Sequence, residues 1–248
     1  MVNNDHEMTS GHLHPITGII AETEEFFSTL GFTVAQGPEK EEEFYNFDAL
    51  NIPPDHPARD MQDTFWLLPL GKKQLLRTHT SPVQVRFLKK NKPPVRVIAP
   101  GRVFRNEATD ATHEAQFYQV EALMVDHQVS LAHLKGVLEA YCRHIFGDQV
   151  SIRLRPSFFS FVEPGVEVDV SCFKCAGRGC SLCKKTGWIE ILGAGLVHPN
   201  VLKACDINPE EWQGFAFGLC PDRIAMIRYG IDDIRLLYSG DLRFIKQF

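Results

Sequence analysis

Residues 101–121 read GRVFRNEATDATHEAQFYQVE. Two short β-type segments flank a polar loop, the pattern of an antiparallel hairpin. Strand side chains alternate between faces, so Arg105 and Glu107 share one face of the first segment, and Phe117, Gln119 and Glu121 share one face of the second. If those faces coincide, one surface carries a cation, two carboxylates, an amide and an aromatic plate. An ordinary half-buried sheet would place aliphatic side chains there. Such a surface suits a ligand with a phosphate, a flat ring and an ammonium group. The competing reading is a surface hairpin with solvated charges.

Outward from the hairpin, residues 95–98 form the strand that leads into it. Residues 75–86 carry Arg77, His79 and Ser81 at alternate positions, as on one face of an extended segment. Residues 51–64 (NIPPDHPARDMQDT) hold too much proline for regular structure, and an ordered loop of that length is often functional. Residues 15–30 place Ile16, Ile19, Ile20, Phe26, Phe27 and Leu30 at helical spacing, with Gly31 as the stop. Residues 32–35 are strand-like and are broken by Gly37-Pro38; the acidic run 39–43 reads as the solvated start of a helix. Downstream, Ser130 caps a helix whose apolar stripe is Leu131, Leu134, Val137, Leu138, Tyr141 and Ile145, ended by Gly147. Short strands dominate from residue 150. Phe159, Phe161 and Glu163 fall on one face, and Val166, Val168 and Val170 alternate with Glu167 and Asp169. Residues 215–217 are a last strand, followed by a helix with Pro221 in its first turn and Arg223 just behind. The layout is α+β: a mixed, mainly antiparallel sheet flanked by helices.

The 248 residues are 44% hydrophobic and 23% charged, enough for a sizeable core, and no apolar run approaches the length of a membrane span. Residues 1–11 read as a disordered tail or an expression remnant, with one domain over residues 12–248. A net charge of −5 excludes a whole-molecule basic footprint for nucleic acid. The run Lys89-Lys90-Asn91-Lys92 reads as a solvated turn that could touch phosphate. Seven cysteines, four of them within twelve residues, with no export signal, point to a cytoplasmic protein and to metal rather than disulfides. Cys172-x2-Cys175-x4-Cys180-x2-Cys183 can supply four thiolates to a tetrahedral Zn²⁺ as a small inserted knuckle over residues 172–183. Gly177 and Gly179 permit the reversal between the pairs. Four protein ligands leave no open position, so the site reads as structural. Reduced thiols without metal and an iron–sulfur cluster are the alternatives. Cys142, Cys205 and Cys220 read as separate small or buried residues.

Beyond single residues, the chain resembles the alpha, catalytic subunit family of bacterial phenylalanyl-tRNA synthetases, which are class II aminoacyl-tRNA synthetases. The resemblance runs from about residue 12 to residue 248. GFTVAQGPE at 31–39, with Pro38, resembles motif 1. FRNE at 104–107 followed by THEAQFYQVE resembles motif 2, and GFAFG at 214–218 with Arg223 resembles motif 3. HPARD at 56–60, LRTHTSPVQ at 76–84, RPSFFSFVEPG at 155–165 and VHPNVL at 197–202 resemble further family blocks. The cysteine knuckle is similar to the zinc-bearing version of part of the family. Three positions depart from the pattern: Cys220 stands where glycine is common, Asp222 where glutamate is frequent, and Ala122 where glycine is usual. The family usually opens with a helical hairpin that reaches tRNA; here only about a dozen residues precede the first helix, as in a trimmed chain or a natural short form.

The resemblance implies the class II fold and a two-step reaction. L-Phenylalanine and ATP give phenylalanyl-adenylate, and the phenylalanyl group then passes to tRNA(Phe). It implies Mg²⁺ with ATP, a structural Zn²⁺, and a beta subunit in an (αβ)₂ heterotetramer, with no membrane partner. By residue, Arg105 would hold the α-phosphate and the attacking carboxylate, and Arg223 the γ-phosphate side. Glu107 would anchor the nucleotide and Phe117 offer a face to adenine. Gln119, Glu121 and Ser81 suit the substrate ammonium, and His79 would reach its carboxylate. Phe159 and Phe161 would wall the ring pocket, with Ala216 at the far end of the ring, and Glu163 is a candidate for Mg²⁺. The rival from another class is a catalytically idle synthetase-like paralogue acting as a binding or regulatory module.

Overall fold

The computed structural model describes residues 11–60 and 63–248. The expected tail at 1–11 therefore lies, except for its last residue, outside the described residues. Helix α1 (Pro15–Thr29) follows the predicted stripe; His14 caps it through Nδ1, and Gly31 leaves it at φ +78°, a value that favours glycine. Then come β1 (Thr33–Val34), β2 (Lys40–Glu42) and the single turn α2 (Glu43–Asn46). The acidic run is thus not a solvated helix start. Its centre is a strand, and Glu41 is 1% exposed, because Arg86 reaches in to pair both its oxygens at 3.0 and 2.5 Å.

Next come β3 (Gln74–Leu76), α3 (Ser81–Lys90), β4 (Val95–Phe104), β5 (Gln116–Asp126) and α4 (Leu131–Phe146). The hairpin of β4 and β5 pairs from Val95–Val125 to Phe104–Gln116, and Ser130 caps α4 as read from the sequence. The remaining elements are β6 (Ile152–Phe159), β7 (Val162–Ser171), β8 (Trp188–Val197), α5 (Pro199–Ala204), β9 (Gln213–Leu219), α6 (Pro221–Tyr229) and α7 (Leu242–Ile245).

Seven strands form one sheet in the order β1-β4-β5-β9-β8-β7-β6, with a parallel β1–β4 edge and antiparallel pairs elsewhere. Helices α1, α4 and α6 cover one face. Phe27, Tyr141 and Phe217 meet there with ring centroids 5.2–5.5 Å apart, and the Tyr141 hydroxyl is satisfied by Thr23 at 2.9 Å. Each such side chain contributes roughly 1.5–3 kcal/mol when fully buried. The other face is packed at one end only, where Leu123, Val125 and Val97 meet Val85 and Leu88 of α3 and Val201 and Leu202 of α5.

Toward its centre that second face changes character. The strand register puts Ala99, Gly101, Gln119, Glu121, Ala216, Gly218, Gly193 and Gly195 on it together. Most of these residues have little or no side chain, so the sheet there is a floor rather than a packed layer. Its closeness to its neighbours explains the glycines: a Cβ on Gly195 would come within 2.5 Å of the Pro164 carbonyl oxygen.

Candidate active site

Over the small-residue floor lies a cavity of about 450 Å³. Four parts of the chain wall it. The hairpin supplies Arg105, Glu107, Gln119 and Glu121; the segment entering α3 supplies Thr78, His79, Ser81 and Gln84; the β6–β7 turn supplies Phe158, Phe159, Ser160 and Phe161. A fourth wall is the proline-rich loop, through Ile52, His56, Ala58 and Asp63.

Arg59 is the main tie of that loop. The Arg59 side chain, 7% exposed, donates to Glu43 at 3.2 Å and to Asp48 at 2.6 Å, donates also to the Ile52 carbonyl, and lies over the Phe47 ring at 4.9 Å. Trp66 Nε1 and Thr64 Oγ1 bond the carbonyls of Arg59 and Ala58. Asn51 fastens the loop to the opposite wall by donating to the Ser160 carbonyl at 2.8 Å.

The segment expected to be extended over 75–86 is not. The strand ends at Leu76, and Ser81 opens a helix. The bend separates the three polar residues. Arg77 turns away from the cavity and donates to the Arg102 and Gly37 carbonyls, while His79 and Ser81 face it. Gly101 has no Cβ because the Arg77 guanidinium passes where one would stand.

Ser81 Oγ lies 2.5 Å from Glu121 Oε2 and 2.6 Å from His79 Nδ1, and Gln84 Nε2 donates to the same Glu121 oxygen at 3.2 Å. His79 Nε2 donates to the Asn46 carbonyl at 3.0 Å. Burial pushes the Glu121 carboxyl up to about 7, against the Ser81 hydrogen bond and the Arg105 charge. Burial, helped by Arg105 and Arg77, holds His79 down to about 4. Gln119 Oε1 is buried without a hydrogen-bond partner among the described residues. Such an orphan acceptor costs about 1–3 kcal/mol unless a ligand donor reaches it.

Phe161 stacks between His79 and Phe159, with centroids 6.2 and 6.0 Å away. Phe159 rests on the floor, where a Cβ on Gly193 would approach its Cζ to 2.9 Å. Ala216 lies among Leu88, Leu123, Val197 and Val201, all aliphatic, at the packed end of the cavity. Phe158 stands at the rim, 83% exposed.

Several expected site residues sit elsewhere. A turn at residues 160–161 separates β6 from β7, so Glu163 does not share the phenylalanine face. Its exposed carboxylate pairs with His198 at 3.3 Å, outside the cavity wall. Phe117 is half-buried behind Arg105, whose guanidinium lies 5.0 Å over its ring while Nε donates to the Thr78 carbonyl. Arg223 is exposed at the start of α6, off the cavity wall, and donates to the Glu190 carbonyl. Asp222 is fully buried, accepting from Tyr118 N at 2.9 Å and from the Tyr238 hydroxyl, and so ties the segment after α6 to β5.

The four clustered cysteines converge between β7 and β8. All four Sγ atoms lie within 4.8 Å of one another, with three pairs at 3.7–3.8 Å. A tetrahedron with metal–sulfur bonds of about 2.3 Å has edges of about 3.8 Å. Backbone N–H groups of Gly179, Cys180 and Gly187 point at Cys175 and Cys183 Sγ at 3.1–3.3 Å, as suits thiolate acceptors. The set fits a four-coordinate metal. It is the one group of that kind among the described residues. Among those residues no helix is long and apolar enough to cross a membrane.

A family model described as the class II core domain of tRNA synthetases (F) matches residues 2–248. The alpha subunit of phenylalanine–tRNA ligase from Bacillus pumilus is 58% identical over 240 residues, 96% of this chain and 69% of that protein. The corresponding subunit from Caldanaerobacter subterraneus is 57% identical, with the same shares covered. In fold, the chain is similar to pyrrolysyl-tRNA synthetase from Desulfitobacterium hafniense, with a TM-score of 0.67 at 17% identity, covering 92% of this chain and 74% of that one.

Proposed function

We infer that this chain, which belongs to the class II tRNA synthetase family as a phenylalanine–tRNA ligase alpha subunit, performs its chemistry in the cavity on the sheet floor. The enzyme activates L-phenylalanine with ATP and transfers it to tRNA(Phe). Nothing in the molecule favours the idle-paralogue alternative. The observation that carries the assignment of the cavity is the pairing of two buried acceptors, the partnerless Gln119 Oε1 and the Glu121 carboxyl, at the mouth of an aromatic pocket. That combination suits an ammonium group attached to an apolar ring.

In activation, a carboxylate oxygen of phenylalanine attacks the α-phosphorus of ATP and pyrophosphate departs. The substrate is its own nucleophile, so the protein's task is to position the reactants and stabilise charge. Gln119, Glu121 and Ser81 hold the ammonium. Phe159 and Phe161 clasp the ring by contacts worth about 0.5–1.5 kcal/mol each, and Ala216 sets its depth. His79 is neutral and therefore a positioning group. Arg105, on the cavity wall, bridges the attacking carboxylate and the α-phosphate, a task its fork-shaped donor set suits. For adenine to stack on Phe117, Arg105 must move off that ring toward the phosphate. Arg223, outside the cavity, is left for the far phosphates, and Glu107 for the nucleotide.

Mg²⁺ arrives with the triphosphate: apart from the cysteines, no cluster among the described residues is spaced to hold a cation alone. Glu107, an exposed carboxylate on the cavity wall, is the acid placed to meet it, in preference to Glu163. The cysteine set holds Zn²⁺, which fixes the connection between β7 and β8 and takes no part in the chemistry. A beta subunit, in an (αβ)₂ assembly, and a cytoplasmic setting complete the proposal.

Phenylalanine-dependent ATP–pyrophosphate exchange, on this chain with a beta subunit, tests it. Arg105→Ala should lower exchange by roughly 10²–10³-fold, the usual cost of a lost transition-state donor. Full exchange in that variant would remove Arg105 from the chemistry.

A further inference from the structure

The series Asn46–His79–Ser81–Glu121 holds a proton that its neutral side chains and a carboxylate could not supply. Three hydrogen bonds link it: His79 Nε2 to the Asn46 carbonyl at 3.0 Å, His79 Nδ1 to Ser81 Oγ at 2.6 Å, and Ser81 Oγ to Glu121 Oε2 at 2.5 Å. Each bond needs one proton. The Asn46 carbonyl only accepts, so His79 Nε2 carries hydrogen. Nδ1 of the neutral ring then only accepts, and the single hydroxyl proton of Ser81 can serve Nδ1 or Glu121 Oε2 but not both. Ser81 has no second proton to offer. At 2.5 Å, a carboxylate and a hydroxyl oxygen with no proton between them would repel. The series therefore contains a third proton, on Glu121 as the acid or on His79 as the imidazolium.

The surroundings decide between them. Burial disfavours an imidazolium at His79, and the nearby cations Arg105 and Arg77 add to this. Glu121 is 7% exposed, and this burial outweighs the groups that favour its anion: Ser81, Gln84, the Thr80 and Ser81 backbone N–H groups and neutral His79 from α3 and its approach, and the Arg105 charge from the hairpin loop; β9 presents only the side-chain-free Gly218. Glu107 is the other acid of the hairpin on the same cavity. The acid form of Glu121 completes all three bonds with neutral groups.

An amino-acid ammonium brings its own donors. Lying against Glu121 and Gln119 Oε1, these donors and their positive charge favour the carboxylate over the acid, and the Ser81–Glu121 contact lengthens as the proton between them leaves. Resting on the assignment of this cavity to phenylalanine, we propose that binding of the substrate ammonium expels one proton from the Asn46–His79–Ser81–Glu121 series, so that the empty pocket is neutral there and binding exchanges a proton for a cation. Glu121 loses its proton to solvent, the ammonium keeps its own, and no covalent bond of the substrate changes.

Isothermal titration of the assembled ligase with L-phenylalanine, without ATP, tests this in buffers of different ionisation enthalpy. At about pH 6 the buffer dependence should correspond to nearly one proton released per phenylalanine, falling toward zero by about pH 8.5. In step with this, the dissociation constant should rise toward tenfold per pH unit below the carboxyl titration. His79→Phe keeps a ring beside Phe161 but removes Nδ1, which frees the Ser81 proton for Glu121; release at about pH 6 should fall by half or more. Buffer-independent heats at about pH 6 in the unaltered enzyme would overturn the proposal, as would undiminished release in His79→Phe. Absence of phenylalanine binding by the folded enzyme at every pH would instead sink the assignment of the pocket.

Discussion

Gly193→Ala probes the floor directly. A methyl at this position would stand 2.9 Å from Phe159 Cζ and 3.3 and 3.4 Å from its two Cε atoms. Carbon atoms rest at about 3.5–4.0 Å, so the ring tip must move by roughly 0.6–1 Å. The floor below is backbone and cannot yield, and Phe161 stacks on the ring at 6.0 Å. The remaining freedom is into the cavity, where the substrate ring would lie. A shift of this size at a substrate-positioning residue costs on the order of 10²-fold, while overpacking costs about 1–3 kcal/mol of stability. The expected outcome is a phenylalanine KM raised about 10–100-fold in pyrophosphate exchange, with the ATP KM nearly unchanged. Phe159→Leu removes the atoms that clash. The double variant should therefore activate phenylalanine better than Gly193→Ala alone, although Phe159→Leu by itself gives up one aromatic contact. An unchanged phenylalanine KM in Gly193→Ala, or a double variant that is merely the product of the two defects, would refute this picture of the floor.

Other expectations can be checked with the same protein. Ala216→Gly should deepen the apolar end of the cavity and raise kcat/KM for para-chlorophenylalanine by roughly tenfold or more, at a strand-propensity cost of about 0.5–1 kcal/mol; unchanged selectivity would count against the position given to the ring. Glu121→Gln copies the charge of the protonated acid; its amide N–H keeps the bond to Ser81 Oγ, with the Gln84 amide turned so that its oxygen accepts instead of its nitrogen donating. A raised folded-state pKa means stability lost as pH climbs through about 7, so this variant should be at least as heat-stable as the parent at pH 8 and above. Its phenylalanine activation should nonetheless fall by roughly 10²-fold, as the ammonium loses a charged partner; a variant less stable at high pH would contradict the sign. Metal analysis should find about one zinc per chain. Metal-free protein with all four thiols freely titratable would dismiss the zinc.

The hairpin was legible because strand alternation is local: the faces of Arg105 and of Phe117, Gln119 and Glu121 do coincide, with Arg105 N bonded to the Ala115 carbonyl as the register requires. The cysteine spacing was legible for the same reason. What depended on distant chain was not. Glu41 looks like one acid in a solvated run until Arg86, 45 residues on, is brought against it. Asn46 carries no motif, and Arg59 and Gln84 stand in family-like blocks that do not say what they touch; their roles exist only after the loop, α2 and α3 assemble. The alternation of His79 with Arg77 was real in sequence, but a helix start at Ser81 intervened. Strands β8 and β9 did leave a signal: GAG at 193–195 and AFG at 216–218 place the smallest residues at alternate positions, the pattern of a sheet face that something must approach closely.

The floor also makes the pocket asymmetric toward change. At Gly193 and Gly218 every possible replacement adds atoms, so a single substitution there can only narrow what the cavity accepts. Beside them, Ala216 alone of the small floor residues that line the cavity still has a carbon to lose. Variation of this surface therefore has many routes to stricter or failed substrate choice and very few to a broader one, a bias written into the backbone rather than into any interaction with substrate.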